Sequence, residues 1–282
     1  MNLASSPQVK KLLAEHGLHP KKRLGQSFLI DQNVLNRIVE ASGAGPGVRI
    51  LEIGPGLGVV TRELAARGAK VVAVEVDHSL QPLLEETLAG AGEVSLIFED
   101  FLKVDLPKLL DDERWAVVGN LPYYITTPII ARLLESKPLI SSMLIMVQRE
   151  VADRIAAAPG SGEYGSLSVL IQYHCEIERV MKVSRNVFYP IPDVDSELLK
   201  LSVRGTPAVD VSDETLFFLV VRAAFGKRRK TLLNALSSSL ELGWDKGRAG
   251  QVLDAAGIDA SRRGETLSLE EFGTLSEASL VV

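Results

Sequence analysis

Short apolar runs alternate with stretches of helical spacing over the first two thirds of the chain. The runs are rich in β-branched residues and lie at 48–53, 70–77, 94–98, 115–118 and 143–147. The stretches whose apolar residues recur at helical spacing lie at 59–67, 80–88, 128–135 and 150–157. This alternation predicts an α/β fold, in which helices cover both faces of a mostly parallel sheet.

The last third of the chain has a different pattern. Two runs at 176–183 and 196–203 are separated only by a proline-rich loop, which predicts an antiparallel pair at the sheet edge. After residues 205–207, only helical patterns follow, at 214–224, 228–240, 247–256 and 269–279. We therefore predict two domains, a sheet domain at 1–204 and a helical domain at 205–282.

Composition narrows the class of protein. The chain has 282 residues, of which 46% are hydrophobic, so it can bury a substantial core. Its single cysteine, Cys175, excludes a disulfide framework, and no apolar run reaches the roughly 18 residues that a membrane span needs. The first residues lack the apolar region of a secretory signal, and the 4 histidines show no paired metal-ligand spacing. We expect a cytoplasmic protein without a metal.

A glycine-rich turn follows the first predicted strand, at 52–58. Glycines such as Gly54 and Gly56 let the backbone turn sharply and approach a ligand closely. A dinucleotide-binding turn would have a third glycine where this chain has Val59. Glu75 ends the second strand, where a carboxylate can accept hydrogen bonds from both ribose hydroxyls of a nucleoside cofactor. Asp100 ends the third strand, where it could accept a hydrogen bond from the adenine amine of that cofactor.

A Gly-Asn-Leu-Pro-Tyr-Tyr segment, 119–124, ends the fourth predicted strand. The Asn120 side-chain oxygen and the Leu121 carbonyl could each accept one hydrogen of an exocyclic adenine amine. That arrangement would draw the nitrogen towards tetrahedral geometry and aim its lone pair at a methyl donor. Pro122 stiffens the turn, and Tyr123 offers a face on which the base can stack. Positioning can supply most of the catalysis, because a sulfonium methyl group is already electrophilic.

The chain closely resembles the KsgA-type small-subunit ribosomal RNA adenine N6,N6-dimethyltransferases. The matching segments are 22–29 (KRLGQSFL), 52–56 (EIGPG), 119–123 (GNLPY), 148–154 (QREVADR), 164–169 (YGSLSV), 187–196 (VFYPIPDVDS) and 224–232 (AFGKRRKTL). The resemblance implies a class I S-adenosylmethionine-dependent methyltransferase, with a Rossmann-like, mostly parallel sheet that has an antiparallel edge, and a small C-terminal helical domain. It also implies dimethylation of two adjacent adenosines in 16S ribosomal RNA.

The resemblance assigns roles to individual positions. In the family, Ser27 and Leu29 would lie beside the methionine part of the cofactor, and Gly54 would lie under that part. Glu75 would contact the ribose and Asp100 the adenine. The residues expected to bind the cofactor are therefore Ser27, Leu29, Gly54, Gly56, Glu75, Asp100 and Asn120. The family often has asparagine where this chain has Ser27, whose shorter hydroxyl would reach the cofactor through water. Phe188 matches a second aromatic residue, which would sandwich the flipped target adenine against Tyr123.

The net charge is −5, so binding to RNA would depend on local clusters of basic residues. The residues expected to grip phosphates are Lys21, Lys22, Arg23, Lys227, Arg228, Arg229 and Lys230, the last four at the start of a helix. The expected partner is the RNA of a partly assembled 30S subunit, bound by a monomer.

Three alternatives remain open. A large-subunit methyltransferase of the macrolide-resistance type shares the Asn-x-Pro-Tyr chemistry, but it typically has isoleucine in place of Leu121. A non-catalytic ribosome-assembly factor would be indicated by loss of Asn120 or Glu75, and both are present. A nicotinamide-dependent oxidoreductase is disfavoured by the glycine spacing.

Overall fold

The structure is a computed structural model that describes residues 4–111, 113–122, 125–227 and 229–282. The chain forms two compact units, of which the first comprises Met1–Ala152 and Glu176–Val203. The second comprises Asp153–Cys175 and Arg204–Val282. Among the described residues, no helix has both the length and the apolar character needed to cross a membrane.

The strands of the described chain are β1 (Phe28–Leu29), β2 (Arg49–Ile53), β3 (Lys70–Glu75), β4 (Val94–Phe98), β5 (Trp115–Asn120), β6 (Ile140–Gln148), β7 (Cys175–Val183), β8 (Phe188–Tyr189) and β9 (Ser196–Val203). The helices are α1 (Ser6–Glu15), α2 (Gln32–Ser42), α3 (Val59–Ala66), α4 (Gln81–Leu88), α5 (Leu106–Leu109), α6 (Thr126–Glu135), α7 (Arg149–Ile155), α8 (Ser166–His174), α9 (Glu214–Phe225), α10 (Leu232–Leu236), α11 (Lys246–Ala255) and α12 (Leu269–Val281).

The main sheet has the strand order β4-β3-β2-β5-β6-β9-β7. The pairs β3–β4, β2–β3, β2–β5 and β5–β6 are parallel, and β9 is antiparallel to β6. The predicted α/β class, a mostly parallel sheet with an antiparallel edge, is therefore confirmed. The central strands are apolar along most of their length because helices cover both faces, and Ile50 and Leu51 are fully buried.

The direction of the parallel strands decides where a ligand can bind. Because β2, β3, β4 and β5 run the same way, their carboxyl ends lie along one edge of the sheet. Those ends are Ile53, Glu75, Phe98 and Asn120. Each of them either belongs to a candidate site segment from the sequence or comes directly before one. Ligands of open α/β sheets bind at this edge.

A two-stranded pairing, which the sequence pattern did not predict, lies in the first unit. β1 runs antiparallel to β8, with Phe28 opposite Tyr189 and Leu29 opposite Phe188. Phe28, Leu29 and Phe188 are buried in the same hydrophobic cluster. The pairing therefore fixes the segment before α2 against the loop that precedes β9.

The second unit is helical and contains a segment that was expected in the sheet domain. Tyr173 of α8 stacks on Phe217 of α9 with ring centroids 4.8 Å apart, and Tyr164 meets Phe225 edge-on at 5.8 Å. These aromatic contacts explain why 153–175 joins 204–282, so the division differs from the single boundary expected after residue 204.

The helix predicted at 228–240 is wrong in its bounds, since α10 spans only Leu232–Leu236. Three serines follow it, and the Ser238 hydroxyl donates to the Ala235 carbonyl. Serine side chains compete with the helical backbone for such hydrogen bonds, and the chain then turns at Gly243 with φ 64. Lys227, Arg229 and Lys230 consequently belong to the turn before α10.

Candidate functional site

A cavity of ≈ 330 Å³ opens at the carboxyl ends of β2–β5. Its walls are the glycine turn, the ends of β3 and β5, the turn after β4, and the segment from Leu24 to Phe28. This volume lies within the range of small-molecule sites. Ser27, Gly54, Gly56, Glu75, Asp100 and Asn120 all line it, so the structure brings six of the expected cofactor-binding residues together.

Leu29, which is also expected to bind the cofactor, does not line this cavity. It borders a smaller cavity of ≈ 60 Å³, which also touches Ser27, Gly54 and Asn120. Leu29 itself is buried through its β1 pairing with Phe188. Its predicted contact with the methionine part of the cofactor therefore depends on the smaller cavity.

The glycine turn leaves space that a ligand can fill. Gly54 and Gly56 have φ values of 71 and 57, in the left-handed region that side chains disfavour. A Cβ at Gly54 would meet no atom within 4 Å, whereas one at Gly56 would lie 3.2 Å from the Phe28 ring. The turn is open beside Gly54 and closed against the Phe28 wall beside Gly56.

Two carboxylates face the cavity from neighbouring strands. Glu75 is only 5% exposed, and its Oε1 accepts a hydrogen bond of 2.8 Å from the Asp77 backbone N–H. Burial raises the pKa of Glu75 to about 7. Asp100 accepts a 3.0 Å hydrogen bond from the Leu102 N–H through Oδ1, which fixes the turn after β4. Both groups are oriented by backbone donors, and carboxylates of this kind can accept hydrogen bonds from ribose hydroxyls or an amine.

Asn120 ends β5 with its amide in a defined orientation. Its Nδ2 donates to the Ser27 carbonyl at 3.3 Å, and a carbonyl can only accept, so the amide nitrogen must face that side. The side-chain oxygen Oδ1 then faces away from Ser27. The neighbouring Leu121 donates its backbone N–H to the Met146 carbonyl at 3.1 Å, which ties this turn to β6.

Pro122 continues the turn and also lines the larger cavity. Its carbonyl accepts hydrogen bonds of 3.1 Å from the Ile125 N–H and from the Thr126 hydroxyl. The start of α6 therefore holds the Pro122 carbonyl in place. Tyr123, the predicted stacking residue, lies outside the described residues.

Phe188 does not line either of these two cavities in the described part of the chain. Its side chain is 1% exposed and packs in the hydrophobic cluster that contains Phe28 and Leu29. Stacking of a target base on Phe188 would require its ring to be uncovered. Its place in an aromatic sandwich stays a prediction.

Sequence reasoning missed Glu52, which lines the smaller cavity. Its Oε2 is buried without a hydrogen-bond partner among the described residues, and burial raises its pKa to about 7. A carboxylate between Leu51 and Ile53, inside an apolar strand, was the signal that could have revealed it.

Sequence reasoning also missed Asp77 and Gln26, which form hydrogen bonds with Lys21. The Lys21 ammonium donates to Asp77 at 2.6 Å and to the Ser79 hydroxyl at 2.8 Å. Burial alone would raise the pKa of Asp77, but hydrogen bonds from Lys21, Ser79 and Gln26 lower it to about 2. Lys21 is thus engaged within the protein, and its phosphate contact stays a prediction.

The other basic residues are placed at the surface. Lys22 and Arg23 are exposed, as are Lys227, Arg229 and Lys230 in the turn before α10. Arg228 lies outside the described residues. In the ranges that the structure describes, no group of histidine, cysteine, aspartate and glutamate residues could hold a metal ion.

Comparison with known proteins decides the family. The family model described as ribosomal RNA adenine dimethylase matches residues 17–274. The chain belongs to this family. As a dimethylase of this kind, it is an S-adenosylmethionine-dependent methyltransferase, and the open glycine turn with its two oriented carboxylates fits that cofactor.

Its relatives in this family are similar over almost their whole length. The Ribosomal RNA small subunit methyltransferase A of Bacillus cereus is 50% identical over 98% of this chain and 97% of that protein. A dimethyladenosine transferase from Plasmodium falciparum has a TM-score of 0.74 and 25% identity, covering 88% of this chain and 95% of its own. The 23S rRNA methyltransferase ErmE has a TM-score of 0.67 and 30% identity, covering 89% and 98%.

The raised pKa of Glu52 predicts how stability changes with pH. In the folded dimethylase, Glu52 takes up its proton near pH 7 rather than at its ordinary value of 4.5. Its contribution to stability is therefore greatest at low pH and is lost as the pH rises through this interval. Glu52→Gln should gain stability relative to the wild type by about 2–3 kcal/mol between pH 5 and pH 8.

Guanidinium denaturation across this pH range measures the effect. A Trp244→Phe background leaves Trp115, buried in β5, as the fluorescent reporter of the first unit. Exposed Glu93→Gln is the matched control, and its difference from the wild type should stay nearly constant with pH. A Glu52→Gln difference that is equally constant would contradict the raised pKa.

Proposed function

We propose that the chain transfers methyl groups from S-adenosylmethionine to the N6 amines of two adjacent adenosines in small-subunit ribosomal RNA, giving N6,N6-dimethyladenosine. The observation that carries this proposal is the 50% identity to a small subunit methyltransferase over nearly the full length of both chains. The orientation of Asn120 at the edge of the cavity supports it, because it presents an acceptor to an amine.

The ≈ 330 Å³ cavity is the proposed cofactor site. Gly54 leaves space beneath the cofactor, Glu75 accepts from its ribose hydroxyls, and Asp100 accepts from its adenine amine. Ser27 and Leu29 lie beside its methionine part, and Gly56 keeps the turn compact against Phe28. When bound, S-adenosylmethionine supplies an electrophilic methyl group.

Asn120 and Leu121 position the target amine in this proposal. The Asn120 Oδ1 and the Leu121 carbonyl each accept one amine hydrogen, which directs the nitrogen lone pair away from them and towards the methyl donor. Pro122 keeps the two acceptors at a constant spacing, because its own carbonyl is bonded to the start of α6. No strong general base is required, since the nitrogen becomes acidic once it is methylated and its proton can pass to water.

Base stacking and RNA docking complete the proposal. Tyr123 and Phe188 hold the flipped adenine between them. Lys22, Arg23 and the basic turn (227–230) contact phosphates, which fix register without reading sequence. The substrate is a partly assembled 30S subunit in the cytoplasm, and the enzyme acts as a monomer.

Nucleoside mass spectrometry tests the substrate. Unmethylated small subunits incubated with the enzyme and labelled S-adenosylmethionine should yield labelled N6,N6-dimethyladenosine, whereas naked large-subunit RNA should not. Asn120→Ala is the control for enzyme-dependent label. Efficient methylation of large-subunit RNA, with none on small subunits, would favour the activity named for ErmE instead.

Substitutions at the acceptor site should separate base binding from cofactor binding. Phe188→Leu should keep cofactor affinity and lower methyl transfer, because it removes an aromatic face but leaves a buried apolar side chain. Phe272→Leu, which alters an equally buried core residue of the second unit, is the control for lost stability. Calorimetry with the cofactor and initial methylation rates are the measurements. Equal rates in the two variants would remove Phe188 from the sandwich.

Neutralising the basic turn should weaken RNA binding and its dependence on salt. Substitution of Lys227, Arg228, Arg229 and Lys230 by glutamine should lower the log–log salt slope by roughly 0.7–0.9 for each lost phosphate contact. Cofactor affinity should not change. Lys246→Gln and Arg248→Gln, at exposed cations elsewhere in the second unit, are the controls. An unchanged salt slope would mean that these basic residues do not contact phosphates and form an ordinary solvated surface.

A further inference from the structure

Asp77 is a buried hub of hydrogen bonds beside the cofactor cavity. Its side chain is 4% exposed, and it accepts from the Lys21 ammonium at 2.6 Å and from the Gln26 amide at 2.8 Å. It also accepts from the Ser79 hydroxyl at 2.6 Å and from the Ser79 N–H at 3.1 Å. Two of its donors therefore come from a segment more than 50 residues away in sequence.

The two distant donors are also connected to each other. The Lys21 backbone N–H donates to Gln26 Oε1 at 2.9 Å, while the Gln26 amide nitrogen donates to Asp77. Between them the chain makes a short 3₁₀ turn, Lys22–Leu24, and reverses at Gly25 with φ 65. Lys21, Gln26 and Asp77 thus close a ring of contacts across the base of this turn.

This ring supports both sides of the cavity. Leu24, Gly25, Gln26, Ser27 and Phe28 form one wall, and Glu75 lies on another. The Asp77 side chain anchors the first wall, and its backbone N–H donates to Glu75 Oε1 at 2.8 Å. A single residue therefore holds the wall and orients the proposed ribose acceptor.

The ion pair between Lys21 and Asp77 is stronger than an ordinary surface ion pair. The Lys21 side chain is 34% exposed, but its carboxylate partner is almost completely removed from solvent, so water screens the pair poorly. Charge-assisted hydrogen bonds are about twice as strong as neutral ones. Lys22, the next residue, has an exposed side chain and makes a natural comparison.

We infer that Lys21, Gln26 and Asp77 form a clasp that fixes the 24–28 segment against the bound cofactor, so that they are positioning residues for S-adenosylmethionine. Lys21 then serves the cofactor site rather than RNA phosphates. The inference rests on the cofactor cavity proposed above, and it adds three residues that touch neither the reacting amine nor the methyl group.

The test compares Lys21→Met with Lys22→Met in the full-length enzyme. Lys21→Met should weaken S-adenosylmethionine binding and raise its KM by roughly tenfold, as the loss of a charge-assisted contact predicts. Its KM for small subunits and its salt slope should stay at wild-type values. Lys22→Met should show the reverse, with unchanged cofactor affinity and a lower salt slope. Lys21→Arg should restore most of the cofactor affinity.

A double-mutant cycle separates a clasp from independent effects. If Lys21 acts through Asp77, the Lys21→Met/Asp77→Asn enzyme should bind the cofactor no more weakly than the weaker-binding single variant. Amide hydrogen exchange at 21–27 should quicken in Lys21→Met and remain at the wild-type rate in Lys22→Met. Melting temperatures check that each variant folds. If Asp77→Asn fails to fold, the Lys21→Met variant still tests the clasp, because Lys21 is partly exposed and its substitution disturbs the core less.

Glu75→Gln distinguishes failure of the clasp from failure of the cavity assignment. Wild-type cofactor affinity in Lys21→Met, together with weakened binding in Glu75→Gln, would overturn the clasp and leave the cavity in place. Wild-type affinity in both variants would overturn the cavity assignment and the clasp with it. A lower salt slope in Lys21→Met, without a cofactor defect, would make Lys21 a phosphate contact after all.

Discussion

The parallel pairing of β2 with β3 and β5, and of β3 with β4, is the constraint on which the rest of the site depends. Parallel strands that point the same way bring residues far apart in sequence to one edge, where their backbones end and their side chains can face a ligand. Gly54, Glu75, Asp100 and Asn120 each follow or end a different strand. None of them could form a site alone, and each element contributes one part of it.

The buried carboxyl groups near this edge have pKa values shifted in opposite directions. At Glu52 and Glu75, desolvation by burial outweighs hydrogen bonding and raises the pKa of both side chains to about 7. Asp77 lies next to them in the fold, yet its pKa is lowered to about 2 because hydrogen bonds from Lys21, Ser79 and Gln26 outweigh its burial. Glu52 keeps Oε2 without a hydrogen-bond partner among the described residues, whereas Asp77 accepts hydrogen bonds from Lys21 and Gln26. Burial therefore dominates the first two carboxylates, and hydrogen bonding dominates the third.

Several differences between the sequence predictions and the structure share a cause. Lys21 and Lys22 are adjacent and chemically identical, but it is Lys21 that meets a buried carboxylate, that of Asp77 just after β3. Phe188 fits the pattern of a stacking residue and also pairs with Leu29 in the core, so its predicted stacking requires the ring to be uncovered. The 153–175 segment follows a sheet strand in sequence, but aromatic contacts through Tyr173 assign it to the helical unit. Long-range contacts of this kind leave no periodic trace.

The sequence by itself determined the α/β class, the alternation of strands and helices along the chain, the glycine turn, the acidic strand ends and the Asn-Leu-Pro segment, because these depend on local periodicity and residue chemistry. It also carried the family, through motifs in a constant order. The tertiary structure decided that Asn120 turns its amide nitrogen to Ser27 and its oxygen away, and that Lys21 faces Asp77. It also decided that Glu52 Oε2 is buried without a hydrogen-bond partner in the part of the chain that the structure describes. Those outcomes depend on which distant side chains meet in the folded chain. Burial and hydrogen bonding between these side chains exist only after folding, so the sequence pattern does not reveal them.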